Sequence, residues 1–467
     1  MATPQRQHER ESSVIRAPHD GTEVGVVALA GPEDVRAALD ANVAAARAAR
    51  EMPSYARAAA LRKVADGLEA ARDELARTLA LEAGKPISQA RLELDRTVFV
   101  FRDAAEEATR IEGQLLPADV VPSARGRIAI TRRFPLAPVV GITPFNFPIL
   151  LAAHKIAPAM ACGSTITLKP PPQDPLTTLR LAELVNASGY PDGGVNVTPC
   201  HVEVAQILIE DPRVRVITFT GSAKAGWAIR AKAGTKRVLL ELGGNAAVII
   251  EPDADLAWAA ARCALGGFTY AGQSCISTQR IFVHESVYRA FLDGFLPRVR
   301  QLTVGDVLDD KTDVGPMIDQ QAAERVERWI QEAVAGGAEV ALGGTRSGVF
   351  LEPTVLLQTA PEMKVNCEEV FAPLVTVTPY RSLREAIAWA NASPYGLQAG
   401  VFTTNLQTML TAHAELDVGA VNGNDVPGFR VDRLPYGGAK ASGLGREGVR
   451  YAIEEMTEQR VLTLRLE

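Results

Sequence analysis

Hydrophobic and polar positions divide the chain into two regimes. From Pro32 to about Glu112, alanine-rich runs such as EDVRAALDANVAAARAARE carry helical spacing, with a pause at AGKP where Gly84 and Pro86 punctuate, so this stretch predicts helices. From Ala129 the pattern changes. Short β-branched runs now alternate with helical stretches: VVGIT, a helix opening at Pro148, STITLK, TTLRLAELVNAS, VNVTP, VEVAQILIE, VITFT, AKAGWAIRAK and RVLLEL. Such alternation predicts parallel strands covered by helices. A second series follows, from AAVII through RIFVH and LVTVTPY to AGVFT and GAVNGN, and predicts a second α/β unit. Two alternating segments fit neither: ARGRIAITRRF before the first series and VLTLRL at the C-terminal end. Exposed strands of this kind invite pairing between subunits, so we read them as an oligomerisation element.

Length and charge narrow the function. A chain of 467 residues exceeds what one hydrophobic core usually serves, and at about 150 residues per domain it predicts roughly three structural units. The 49 basic and 55 acidic residues give a net charge of -6, which offers no electrostatic help toward nucleic acid or an anionic membrane. The most apolar stretch, Pro138 to Gly163, is broken by prolines and by Asn146, His154 and Lys155, so no membrane span is expected. The opening MATPQRQHERESS has no apolar signal core. Five cysteines at irregular spacing form neither a metal pattern nor a disulfide framework, and together these features predict a protein of the reducing cytoplasm.

Several motifs carry candidate chemistry. Gly443, Gly445 and Gly448 spell G-x-G-x-x-G, but no strand precedes them and too little chain follows for a complete dinucleotide-binding unit, so the motif is set aside. VITFTGSAKAG is a better phosphate site: a buried strand runs into Gly221 and Ser222 and then into a helix, whose N-terminus offers N–H groups to a pyrophosphate. A plain capped helix is the alternative. Lys169 ends the strand STITLK, where ligands of open α/β sheets bind, or is simply a solvated strand end. Among the cysteines, Cys162 and Cys263 lie in apolar runs, and Cys200 and Cys367 lie near turns with no evident activator. Cys275, in YAGQSCISTQRI, follows a glycine-marked break, where a turn or helix end could lower its pKa from about 8.5. Glu241 ends RVLLEL before Gly243 and Gly244, placed either as a general base for water or in a structural ion pair.

Across roughly residues 20 to 460 the segments TPFNFP, LKP, FTGS, ELGG, GQSC, EEVFAPL and LPYGGAKASGLGREG, in this order, resemble the aldehyde dehydrogenase superfamily. The resemblance implies an NAD- or NADP-dependent enzyme with Cys275 as nucleophile. Asn146 and the Cys275 backbone N–H would form an oxyanion hole, and Glu241 would activate the water that hydrolyses a thioester. It further implies Lys169 at the adenosine ribose and Gly221 with Ser222 at the pyrophosphate. Glu369 would hold the nicotinamide ribose and Phe371 pack at the nicotinamide, with Thr143, Pro144 and Phe145 lining the cofactor side. The implied fold is a Rossmann-like cofactor domain (1–113 and 134–243), a second α/β catalytic domain (244–440) and a small β oligomerisation ribbon (114–133 and 456–467). Residues 441–455 would return to the cofactor domain, and the assembly would be a homodimer or homotetramer.

Two departures bear on function. The position after ELGG is Asn245 where most members have lysine, and Pro172 stands where a glutamate often chelates the ribose hydroxyls. Proline neither accepts a hydrogen bond nor repels a 2'-phosphate, so NAD and NADP are both open. The wording of GQSCISTQRI and NDVPGFRVDRLPYGG looks most like the branch holding lactaldehyde dehydrogenases. On the helix opening at Pro148, Phe147, Leu150, Leu151 and His154 share a face by spacing. If His154 lines the aldehyde tunnel together with Arg102, the substrate is a short hydroxylated or acidic aldehyde; otherwise His154 is a core residue bonded to backbone. A CoA-acylating dehydrogenase and a catalytically silent binding protein are the alternatives, against which Glu241 and the trio Cys275, Asn146 and Glu241 respectively argue.

Overall fold

The computed structural model describes residues 11–466. Four helices, Pro32–Glu51, Ser54–Ala70, Arg72–Ala83 and Ile87–Glu107, occupy the segment that the alanine-rich periodicity assigns to helices. The pause at AGKP has a physical basis. Gly84 ends the third helix in the left-handed region (φ 64°), and a Cβ there would meet Pro316 at 2.9 Å. Ahead of these helices lies a hairpin, Ser12–Arg16 with Glu23–Ala28, which the hydrophobic pattern does not reveal.

The first alternating series builds a six-stranded sheet. In spatial order it runs Gly443–Leu444, Arg237–Glu241, Val216–Thr220, Val139–Ile142, Ile166–Lys169 and Val195–Val197, parallel throughout except for the first strand. The second series builds a seven-stranded sheet with Ala246–Ile250, Thr278–His284 and Leu374–Tyr380 near its centre and one antiparallel edge strand, Glu339–Leu342. Buried β-branched strands of this kind need helices on both faces. The helix Pro148–Cys162 meets that need most fully, since every one of its residues is buried.

The two unplaced strands find each other. Thr457–Arg465 pairs antiparallel with Arg127–Pro135 over its whole length, and Gln114–Pro117 adds a third strand. Leu115, Val461, Leu462 and Leu466 remain exposed on and beside this small sheet.

Candidate active site

Three chain segments converge at Cys275. After the helix Leu256–Phe268 the backbone kinks through Tyr270 and Ala271, both with φ near 50°, and Gly272 at φ 66°. This turn hands the chain to Gln273, whose buried side chain accepts from Ile318 N (2.8 Å) and donates to Pro316 O (3.2 Å). Cys275 is thereby anchored in a half-buried position. The ELGG turn passes so close that a Cβ on Gly244 would lie 2.1 Å from the Cys275 carbonyl oxygen, so this glycine is required by contact.

Asn146 comes from the turn before the helix Pro148–Cys162. Its Nδ2 donates to Gln273 O at 3.0 Å, while its buried Oδ1 has no hydrogen-bond partner among the described residues. Lys85 donates to the Asn146 carbonyl at 2.7 Å, ion-pairs with buried Glu93 and sits 3.9 Å from the centre of the Phe147 ring. Glu93 in turn accepts from Leu150 N at 3.3 Å. The amide is fixed from both sides.

Glu241 ends the strand Arg237–Glu241, buried, with Oε2 unpaired among the described residues. Burial pushes its pKa well above the ordinary carboxylate value, and neighbouring Glu447 pushes it further, against Arg430 and Lys155. Burial also pushes the Cys275 thiol up to about 12, with Glu369 and Glu241 adding to the effect and Tyr436 and Arg430 opposing it. This corrects the expectation that its turn could lower the thiol pKa: burial outweighs it, and the thiol proton must leave before attack.

A cavity of about 670 Å³ joins these groups. On one side it is walled by Pro144, Phe145, Gly221, Ser222, Glu369 and Phe371, on the other by Phe147, Leu150, Leu151, Arg96, Arg262 and Arg430. Glu369 accepts from Gly244 N at 2.8 Å, and burial raises it to about 7; Phe371 meets Phe145 edge-on at 5.9 Å. Ser222 caps the helix Ala223–Lys232. Thr143 and Lys169 lie outside the cavity lining. Lys169 is buried at its strand end, its pKa lowered by burial, and its ammonium makes no hydrogen bond or ion pair among the described residues. The exposed Pro172 follows on the adjoining loop.

Two predicted substrate residues are misplaced. Arg102 is half-exposed and pairs with Glu69, outside the cavity. The arginine of that helix that does line the cavity is Arg96. Six residues at 100° each turn Arg102 to a different face from Gln89, Leu92, Glu93 and Arg96, a pattern that the sequence itself contained. His154 is buried behind the wall, 3.1 Å from Asp432 Oδ1 and 3.2 Å from Arg430 Nη2, and its bonds are to charged side chains instead of backbone. Burial and Arg430 lower its pKa.

That network was not foreseen. Arg96 grips Asp432 with two hydrogen bonds (2.9 and 2.7 Å), and Arg430 reaches both Asp432 and Glu447. Asp432 is desolvated, yet Arg96 and His154 hold it far below the usual carboxylate range. Tyr436, also unforeseen, places its hydroxyl 3.2 Å from the Cys275 sulfur. These partners lie far apart in sequence, and nothing local in the chain marks them.

The aldehyde dehydrogenase family's sequence profile matches residues 5–462. The chain belongs to that family. This aldehyde dehydrogenase is 45% identical over 413 residues to the 3-sulfolactaldehyde dehydrogenase of Priestia aryabhattai, covering 88% of this chain and 87% of the relative. Its fold matches aldehyde dehydrogenase 21 from Physcomitrella patens, solved with the reaction product succinate, at a TM-score of 0.96 and 41% identity over 98% of this chain and 96% of that one. It also matches glyceraldehyde-3-phosphate dehydrogenase GapN from Methanocaldococcus jannaschii complexed with NADP, at a TM-score of 0.94 and 36% identity over 98% and 100% of the two chains. The protein is an NAD(P)-dependent aldehyde dehydrogenase with the mixed α/β fold of its family. Among the described residues no helix is long and apolar enough to cross a membrane.

Proposed function

We propose that this aldehyde dehydrogenase oxidises a short aldehyde with an anionic tail to the free acid, with Cys275 as nucleophile. The observation that carries the reading is the cavity in which Cys275, Asn146 and Glu241 face three arginines, Arg96, Arg262 and Arg430. Arg96 and Arg262 each hold one carboxylate, Asp432 and Asp425, and keep guanidinium N–H groups without partners among the described residues. Such donors suit a carboxylate or sulfonate. The names of the relatives point the same way, toward a sulfonated aldehyde and a dicarboxylate product.

The residues fit a dinucleotide. Lys169 offers a buried ammonium with no partner among the described residues, the Ser222 helix end offers N–H groups to a pyrophosphate, and Glu369 and Phe371 would flank the nicotinamide and its ribose. The thiolate adds to the aldehyde carbon, and the Asn146 amide with the Cys275 N–H receives the developing oxyanion. When bound, the nicotinamide supplies the hydride-accepting chemistry that turns this adduct into a thioester. Glu241, whose Oε2 has no partner among the described residues, takes a proton from the water that hydrolyses the thioester.

The six-stranded sheet belongs on this reading to a cofactor domain and the seven-stranded sheet to a catalytic domain, with the boundaries given above. The small sheet with its exposed leucines would join copies into a homodimer or homotetramer, and light scattering that returns a monomer contradicts this. Five free cysteines suit a reducing cytoplasm.

The test of substrate class is kcat/KM for an aldehyde bearing a carboxylate or sulfonate against a neutral aldehyde of equal length, in wild type and Arg96→Leu. Loss of one charge-assisted contact of about 1.5–3 kcal/mol predicts a roughly ten- to hundredfold fall for the anionic substrate alone. Equal losses for both, or a wild-type preference for the neutral aldehyde, would sink the proposal.

A further inference from the structure

The buried hydroxyl of Tyr436 has one hydrogen-bond partner among the described residues, the Cys275 sulfur at 3.2 Å. The ring is held in place from several directions. Its backbone exchanges two hydrogen bonds with Glu447 (3.0 and 2.7 Å), and the Arg430 guanidinium stacks 3.7 Å from the ring centre. Arg430 is itself tied to Glu447 and Asp432, so the stack cannot slide away without breaking buried ion pairs. Ile276 and Leu397 pack with Tyr436 in one apolar cluster, and Cys275 lies partly buried against it.

A neutral thiol accepts hydrogen bonds poorly, and with a thiol either atom can be the donor. A thiolate can only accept, and it accepts strongly. The same contact is therefore worth much more after the proton leaves sulfur than before. The other groups that act on the sulfur are the carboxyls of Glu369 and Glu241, which disfavour the thiolate, and the Arg430 guanidinium, which favours it. Burial raises the phenol's own pKa well above its ordinary value, so it remains a donor throughout the working pH range.

We propose that Tyr436 is a further catalytic residue, its phenolic O–H donating to the Cys275 sulfur and holding the thiolate ready for attack on the aldehyde. No proton passes to or from Tyr436; the thiol proton leaves to solvent through the cavity that Cys275 lines. Once sulfur is bonded to the substrate carbon it loses its charge, and the hydrogen bond weakens as the oxyanion interactions strengthen. The proposal rests on Cys275 as the nucleophile.

The experiment is the pH profile of Cys275 alkylation by iodoacetamide, followed peptide by peptide by mass spectrometry, in wild type and Tyr436→Phe. Peptide resolution separates Cys275 from the partly exposed Cys367. Phenylalanine keeps the ring and its stacking on Arg430 and removes only the hydroxyl. Loss of a hydrogen bond to a charged group raises the Cys275 pKa further, which is read as slower alkylation at every pH of the profile. The thiolate fraction at pH 7 then falls about ten- to hundredfold, while each remaining thiolate is more reactive with a Brønsted slope of about 0.4–0.5, leaving alkylation about three- to tenfold slower. As a second arm independent of any truncation, wild type grown with fluorotyrosine carries more acidic phenols, which donate more strongly and should speed Cys275 alkylation across the same pH range. An unchanged profile in both arms overturns the role of Tyr436. If alkylation of Cys275 still abolishes turnover in that case, only the hydrogen-bond proposal fails; if a protein fully alkylated at Cys275 still turns over, the nucleophile itself is wrong.

Discussion

At Pro172 a single residue bears on which dinucleotide the enzyme prefers. The exposed proline lies three positions after Lys169, on the loop beside the strand end where we place the adenosine ribose. Pro172→Glu would supply both an acceptor for ribose hydroxyls and a charge that repels a 2'-phosphate, so the ratio of kcat/KM with NAD to that with NADP should rise at least several-fold. An unmoved ratio would place the ribose elsewhere. The residues of the Cys275 constellation were legible because each sits in a short motif whose turn chemistry is local: glycine beside Glu241, proline after Asn146, a glycine break before Cys275. Tyr436, Arg430 and Asp432 were not legible, because their partners Cys275, His154 and Arg96 lie more than a hundred positions earlier and only the fold brings them together.

Asp432 ties a loop to two helices, receiving Arg96 from Ile87–Glu107 and His154 from Pro148–Cys162. Its folded pKa is depressed, so its contribution is fully present above the unfolded value of about 4 and is lost as pH falls toward the folded one. Asp432→Asn leaves Arg96, Arg430 and His154 short of a partner, and should cost about 3–5 kcal/mol at pH 7, measured by urea unfolding. That deficit should shrink steadily below pH 4; a gap independent of pH would mean that the charge on Asp432 contributes nothing. The main strands and helices were readable because buried β-branched runs and 3.6-residue periodicity survive in the sequence. Periodicity could not tell which face of Pro148–Cys162 met the tunnel, since a helix buried all round has no polar side to orient it. The hairpin Ser12–Arg16 with Glu23–Ala28 was too short and mixed in polarity to register. The set-aside glycine motif proved structural: Gly443 and Leu444 pair with Glu241 and Leu240, and Ser442 Oγ donates to Gly243 O at 2.7 Å, bracing the turn that carries the proposed base.

At the scale of the molecule, two parallel sheets present loops to one cavity, and the C-terminal segment returns to the first sheet to close an edge beside Glu241. The chain thus brings Cys275 from the second series, Asn146 and Glu241 from the first, and Tyr436 from the returning segment to one point, although the sequence order gives no hint of the last. The central claim is that Cys275 carries the acyl group and Glu241 releases it. Glu241→Gln retains the shape of the side chain but cannot serve as base, so deacylation should fail before acylation is fully lost. The direct measurement is to mix this variant rapidly with aldehyde and cofactor, follow reduced nicotinamide by absorbance, quench in acid, and weigh the Cys275 peptide. The account predicts a burst of about one equivalent per site followed by turnover slowed about a hundredfold or more, with the acyl mass on Cys275. A burst without that mass, or steady turnover at the wild-type rate, would contradict it.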